Sequence, residues 1–268
     1  MKETRENLWA LILGASSGFG EATALELARL GMNIAGVHLD RKATLPHVEE
    51  VVGKIRGFGR EVLFFNANAA DTKKRREMLD QLEGHCKASS PSGEVRVLFH
   101  SLAFGTLKPY IISSPAESLN AEQMNMTVDV MAHSLVYWAQ ELVARGLLRT
   151  GGRILAMTSS GGTRVFPTYG AVSAAKASLE SHIRQLALEL APHGITVNAI
   201  RAGVTDTPAL RKIPGNEKLV EEALRKNPHG RLTTPADVAA AIGVLVQPNT
   251  YWMTGNVIGV DGGEDIVG

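Results

Sequence analysis

Cysteine is almost missing from this chain: Cys86 stands alone among 268 residues. One thiol closes no internal disulfide and is too few for a structural zinc site. Charge of a single sign is missing too. Twenty-eight Lys and Arg face 27 Asp and Glu, a formal net charge of +1, so no broad field points to nucleic acid or an anionic membrane as partner. Long hydrophobic runs are the third absence. The apolar stretch Leu8–Leu13 behind the charged first seven residues stops at Gly14, too short for a signal-peptide core. Nothing later approaches ~18 continuous apolar residues. No histidines fall at metal-ligand spacing, and no internal repeat, linker or low-complexity tract divides the chain. Apolar residues still make up 44% of it, enough for a substantial core. The expectation is a cytoplasmic protein that binds neither nucleic acid nor membrane nor metal.

Short apolar runs alternate with helical spacing. LWALIL at 8–13 is apolar on both faces, as in a strand buried on both sides, and 21–30 (EATALELARL) is a helix stopped by Gly31. Strands follow at 33–39, 61–66 and 95–99, with helical stretches at 45–58 and 72–86 between them. The second half continues with one long helix over 121–145, a strand at 153–157, a long helix from Tyr169 to Leu190 and a strand at 196–200. A final helix over 236–246 and a strand at 257–260 close the series. Residues 205–230 break the rhythm: polar, with Pro208, Pro214 and Pro228, they predict a flap of short helices. Strand–helix alternation with right-handed crossovers predicts an α/β Rossmann-type fold, a doubly wound parallel sheet in a single domain spanning 1–268.

Two motifs carry chemistry. Gly14-Ala15-Ser16-Ser17-Gly18-Phe19-Gly20 joins the first strand to the first helix. Glycines there let the backbone turn sharply and approach a diphosphate, whose charge a helix N-terminus favours. Alone, this turn indicates only a nucleotide. The second motif is Tyr169 with Lys176. Seven residues is about two turns, so the side chains share a face if Tyr169 is already helical. An ammonium near a phenol lowers the phenol's pKa and improves it as a proton donor. Without context, the pair is explained as well by a half-exposed helix.

The context is a resemblance to the short-chain dehydrogenase/reductase family. GASSGFG resembles its cofactor turn, YGAVSAAKASLES its active-site helix, GITVNAIRAGVTDT the strand and loop that follow, and TPADVAAAI with TGNVIGVDGG its C-terminal helix and strand. The likeness runs from about Leu8 to Gly263, with the motifs in the family's order. It implies a nicotinamide-dependent oxidoreductase with Tyr169 and Lys176 as catalytic pair, and by analogy a homotetramer.

Three departures from the commoner family pattern resemble the enoyl-acyl-carrier-protein reductase branch. The usual tyrosine, four residues before the lysine, would fall at Val172; here the spacing is Y-x6-K. His100-Ser101-Leu102-Ala103-Phe104 is similar to the enoyl reductases' His-Ser-Ile-Gly-Phe, which places Phe104 and Gly105 against substrate. The helix asparagine of the usual tetrad falls at Met131. Geometry suits the shift. Hydride addition to the β-carbon of an enoyl thioester develops charge on an oxygen two bonds further away, and a phenol moved by about one helical turn (roughly 5 Å) fits that. One feature runs the other way: Thr158-Ser159-Ser160-Gly161-Gly162 resembles carbonyl-reducing members, whose serine polarises a carbonyl. Ser159 or Ser160 would serve, and a plain strand-end turn explains the segment equally well.

The resemblance also distributes the cofactor contacts. Gly14, Ser16, Ser17, Gly18, Phe19 and Gly20 form the diphosphate turn, Asn68-Ala69 meets the adenine, and His100, Ser101 and Leu102 run along the ribose. His100 is explained as well by packing. Gly203, Val204 and Thr205 hold the carboxamide, Thr207 the diphosphate and Lys176 the nicotinamide ribose. The acid that NAD-preferring members carry at the tip of the second strand is replaced by His38. Asp40 lies two residues on, and Arg41 and Lys42 after it are suited to a 2′-phosphate by charge-assisted hydrogen bonds. The expectation is NADPH, with NADH possible, and an acyl-carrier-protein or CoA thioester as substrate. Carbonyl or alcohol chemistry on a 3-oxoacyl thioester or steroid-like molecule is the alternative. A non-catalytic dinucleotide sensor is a third reading, which the intact Tyr169–Lys176 pair opposes.

Overall fold

A computed structural model describes residues 7–267. Seven parallel strands form one sheet in the order β3-β2-β1-β4-β5-β6-β7: β1 (Leu8–Leu13), β2 (Asn33–His38), β3 (Val62–Asn66), β4 (Glu94–His100), β5 (Leu148–Thr158), β6 (Thr196–Ala202) and β7 (Val257–Val260). The strand order reverses direction between β1 and β4, and in such sheets ligands bind in the crevice at the carboxyl ends of those strands. This is the Rossmann-type doubly wound sheet that the alternation predicts.

Strand pleating explains the double-sided core. Trp9, Leu11 and Leu13 of β1 enter one hydrophobic layer, with Met78, Leu79 and Leu82 of α3 (Thr72–Ala88), Leu135 and Trp138 of α5 (Ser134–Ala144) and Leu179 and Ile183 of α6 (Gly170–Leu190). Ala10 and Ile12, the alternate residues, enter the other, with Ala24 and Leu27 of α1 (Gly18–Arg29), Val51 and Ile55 of α2 (Leu45–Gly57) and Val238 and Ile242 of α8 (Pro235–Leu245). A helix starting at Pro235 has its first turn prepared: Thr234 and Asp237 form a reciprocal capping box, and Arg231 holds the Asp237 carboxylate at 2.7 Å.

One expected helix differs, and the expected flap of short helices is present. The long helix over 121–145 is interrupted: α4 (Ala121–Val128) passes into a π segment, Asp129–His133, before α5. The flap contains a 3₁₀ turn at Leu210–Lys212 and α7 (Asn216–Lys226), in which Ala223 is the one buried residue.

Candidate active site

The glycine turn is shaped by close approaches that forbid a side chain. Gly14 has φ +90°, and a Cβ there would stand 2.5 Å from the Ser101 carbonyl oxygen. Gly20 begins the body of α1 so close to the turn that a Cβ would meet the Gly14 carbonyl oxygen at 1.8 Å. The Gly14 amide is bonded to Val37 O at 2.8 Å and Ser101 N to Leu13 O at 2.8 Å, so the turn is anchored to β2 and β4. Ser17 occupies the N-cap of α1 but its side chain caps nothing, leaving the first-turn amides available to an anion. These residues fit the diphosphate of a dinucleotide. The Thr207 methyl packs on Gly18 from the loop after β6, and Thr207 is buried.

Tyr169 is the N-cap residue of α6, with φ −92° and ψ 2°; its carbonyl accepts from Ser173 N at 2.8 Å while its side chain lies outside the helix. Thr168 before it holds a left-handed φ of +62°, a strained conformation for a β-branched residue, and this turn aims the phenol at the end of β5. The Tyr169 hydroxyl is 3.5 Å from Ser159 Oγ, and its ring passes where a Cβ at Gly161 would be, 2.5 Å from Cε1. Ser160 instead opens the 3₁₀ turn Ser160–Gly162, so Ser159 is the serine at the phenol.

Lys176 is 5% exposed, and its Nζ donates to Met157 O at 2.7 Å. Burial pulls its pKa down to about 8 against the attraction of Glu180. Burial pushes the Tyr169 phenol up, Ser159 partly opposes the rise, and Lys176 is not among the causes. The reason is the N-cap position of Tyr169: the two side chains leave the helix in different directions, and the lysine runs to the strand.

Val172 and Met131 fill the places of the commoner tyrosine and asparagine. Both are buried in one apolar cluster with Val130 and Ala175, on which Tyr169, Leu102 and Leu107 pack. A Cβ at Gly105 would stand 2.9 Å from Val172 Cγ2 and 3.0 Å from Met131 Sδ, so Gly105 closes this wall. His100 is fully buried. Its Nε2 lies 2.9 Å from Ser134 Oγ, whose hydroxyl donates to Val130 O at 2.8 Å. Burial, then the Lys176 charge, lowers the His100 pKa to about 3. The imidazole thus faces the helix pair, and the expectation that it packs is met by its side chain. The same hydroxyl, competing for the Val130 carbonyl, accompanies the π segment.

A pocket of about 280 Å³ opens beside the phenol, lined by Tyr110, Val165, Phe166, Tyr169, Gly170, Ser173 and Ala174. Phe104 and Gly105 do not line it, nor does any residue of 205–230. Tyr110, Val165 and Phe166 come from irregular segments without periodicity, which is why sequence patterns missed them. The Tyr110 ring stands against Gly170, where a Cβ would meet it at 2.5 Å, a contact between residues 60 apart that no local pattern marks.

The remaining expected contacts are scattered along the same sheet edge. Asn68 is exposed, whereas the Ala69 side chain turns into the core and its carbonyl accepts from Trp138 Nε1 at 2.8 Å. Thr205 Oγ1 donates to Gly203 O at 3.0 Å, and Val204 N donates to Glu264 at 3.1 Å. Arg41 and Lys42 are exposed beyond β2. Asp40 is the surprise there: its carboxylate is hydrogen-bonded to Ser16 of the glycine turn, to Thr44 and to His38 Nδ1 at 2.9 Å, and these bonds outweigh burial to hold its pKa low. Among the described residues no group of three metal-ligating side chains converges, and no helix is long and apolar enough to cross a membrane.

A doubly wound parallel sheet, a glycine turn at its switch point and a tyrosine–lysine–serine group at the end of β5 define a short-chain dehydrogenase/reductase. Residues 14–264 match the family described as "Enoyl-(Acyl carrier protein) reductase", and the chain belongs to it. It is 30% identical over 260 residues to 1-cyclohexenylcarbonyl-CoA reductase of Streptomyces collinus, covering 96% of this chain and 87% of that one. An NADPH-dependent aldehyde reductase-like protein of Arabidopsis thaliana is 29% identical over 262 residues, covering 95% and 93%. Among solved structures, the enoyl-[acyl-carrier-protein] reductase (NADH) of Aquifex aeolicus superposes with a TM-score of 0.82 at 26% identity, covering 97% of each chain.

Proposed function

We propose that this oxidoreductase reduces the carbon–carbon double bond of an enoyl thioester, carried on CoA or an acyl-carrier protein. The observation that carries this reading is the pairing of Tyr169 at the pocket with Val172 and Met131 packed as an apolar wall. The phenol is displaced from the position at which the commoner family members protonate a carbonyl on the carbon receiving hydride. The similarity to a reductase of a cyclohexenylcarbonyl-CoA supports the same chemistry.

A dihydronicotinamide, when bound, supplies the hydride. The glycine turn and the uncapped start of α1 fit its diphosphate, with Ser101, Leu102, Gly203, Val204, Thr205 and Thr207 along the rest of the cleft. Tyr169, kept protonated because burial raises its pKa, donates a hydrogen bond to the thioester oxygen as charge develops there. Ser159 orients the phenol, and Lys176 holds an ammonium behind the site, toward the ribose. Tyr110, Val165 and Phe166 line the pocket beside the phenol, where the acyl group is proposed to lie.

NADPH is the proposed preference, carried by Arg41 and Lys42. Asp40 opposes it, since a carboxylate beside Ser16 accepts ribose hydroxyls and repels a phosphate. Replacing Arg41 and Lys42 by Ala is expected to weaken NADPH binding selectively, and Asp40→Asn to strengthen it; equal effects on NADH and NADPH in both variants would remove the assignment. A homotetramer belongs to the same proposal and is read by light scattering.

A second reading, reduction of a carbonyl, is favoured by the hydroxyl pair of Ser159 and Tyr169 at 3.5 Å. Assaying crotonyl thioester against acetoacetyl thioester with each cofactor decides between the two. Turnover of the crotonyl substrate alone is expected; turnover of acetoacetyl thioester alone overturns the enoyl reading.

A further inference from the structure

We propose that Glu180 is a positioning residue of this site, the fixed counter-charge of Lys176, tethered by the hydroxyl of Thr158. The proposal rests on Lys176 being the working lysine of the Tyr169 site.

Glu180 lies four residues beyond Lys176 on α6, which places the two on one face of the helix. Successive residues of β5 receive them. Met157 O accepts from Lys176 Nζ at 2.7 Å, and Thr158 Oγ1 donates to Glu180 Oε1 at 2.6 Å from a threonine that is 4% exposed. The turn Ser160–Gly162 lies over both: a Cβ at Gly162 would stand 3.2 Å from Glu180 Oε1 and 3.5 Å from Lys176 Cβ. Carboxylate, lysine stem and strand end are thus fixed as one unit.

A buried ammonium needs an opposite charge. From β4, Lys176 is faced by His100, an imidazole kept neutral by burial. Tyr169, at the start of α6, is a phenol kept protonated by burial, with its hydroxyl at Ser159 Oγ. The π segment contributes Val130 and Met131 to the neighbouring apolar cluster, and its His133 is bonded to His182 at 2.9 Å. In the loop after β5, Arg164 is paired with Asp265 at 2.7 Å. Glu180 is the group that raises the lysine's hold on its proton. Met131 gives the lysine no hydrogen bond, so beside the Met157 carbonyl that its Nζ meets, the carboxylate supplies the opposite charge.

The test is direct titration of Lys176 in the full chain labelled with ε-¹³C lysine, its resonance identified by loss in Lys176→Met. Glu180→Gln keeps an oxygen for the Thr158 hydroxyl but removes the charge, and is expected to lower the lysine's midpoint by about one pH unit. Glu180→Asp should retain part of the effect, and Thr158→Val should move the midpoint the same way by less. The alkaline limb of kcat for crotonyl thioester should move down with it in Glu180→Gln, which a merely structural glutamate would not cause. An unchanged midpoint in folded Glu180→Gln overturns the proposal. If that variant does not fold by circular dichroism, an unchanged midpoint in Thr158→Val overturns it. A wild-type enzyme inactive on enoyl thioesters would sink the proposed function yet leave the titration to decide Glu180.

Discussion

On the proposed function, Tyr169 and Lys176 divide the work of the site between a neutral donor and a buried cation. Tyr169→Phe is expected to cut turnover roughly 10²–10⁴-fold, the usual worth of acid–base help, with NADPH affinity little changed. Lys176→Ala should damage both turnover and cofactor binding; steady-state kinetics with fluorescence titration of NADPH separates the two patterns. Full activity in Tyr169→Phe would remove the mechanism. At this scale the spacing singled out Tyr169 and Lys176 as candidates, but not how they touch. The Tyr169–Lys176 interval suggested one helical face, whereas the left-handed Thr168 and the N-cap conformation of Tyr169 send the phenol to Ser159 instead. Spacing reports periodicity only inside an element, and Tyr169 sits just outside one. Glu180 and Thr158 were invisible for a related reason, since their contact joins residues 22 apart.

Elements built from apolar periodicity were legible almost to the residue: β1 and β7 have the bounds read from their hydrophobic runs. The π segment was not, because no glycine or proline marks it; its accompaniments, Ser134 and His100, lie on different elements. The capping box at α8 was half legible, with Thr234 placed before the helix. Thr234→Ala is expected to cost about 1 kcal/mol by urea unfolding; no loss would mean that Arg231 and Asp237 hold the turn without the cap. The flap was legible as an irregularity of short helices. With a single buried residue in α7, it should exchange its amides faster than α6, and hydrogen exchange on the free protein checks this. Slowing on addition of cofactor and thioester would show that the segment closes only then.

Stability of the whole molecule should depend on pH through the buried bases His100 and Lys176. His100 holds a folded pKa of about 3 against an ordinary 6.5. As pH falls through that window the unfolded chain takes up a proton that the folded chain refuses, so stability declines with acid. Lys176 acts at the other end. Between about pH 8 and its ordinary 10.5 the unfolded chain keeps a proton that the folded chain has released, so stability rises with pH there. His100→Gln should flatten the acid slope, by up to about 1.4 kcal/mol per pH unit, in urea unfolding at pH 6, 5 and 4. An unchanged slope would assign the acid loss to the carboxylates. The single parallel sheet was fully legible from the strand–helix alternation, because buried parallel strands read as continuous apolar runs.

The wall of Val172, Met131 and Gly105 has a consequence for redesign. A tyrosine at 172 would drive a ring into a cluster already closed by Gly105, and overpacking of that kind typically costs about 1–3 kcal/mol. An asparagine at 131 alone would bury an amide among apolar neighbours. Each single substitution toward the commoner arrangement is therefore expected to lose stability, so a phenol can be installed at 172 only by recutting the surrounding packing with it.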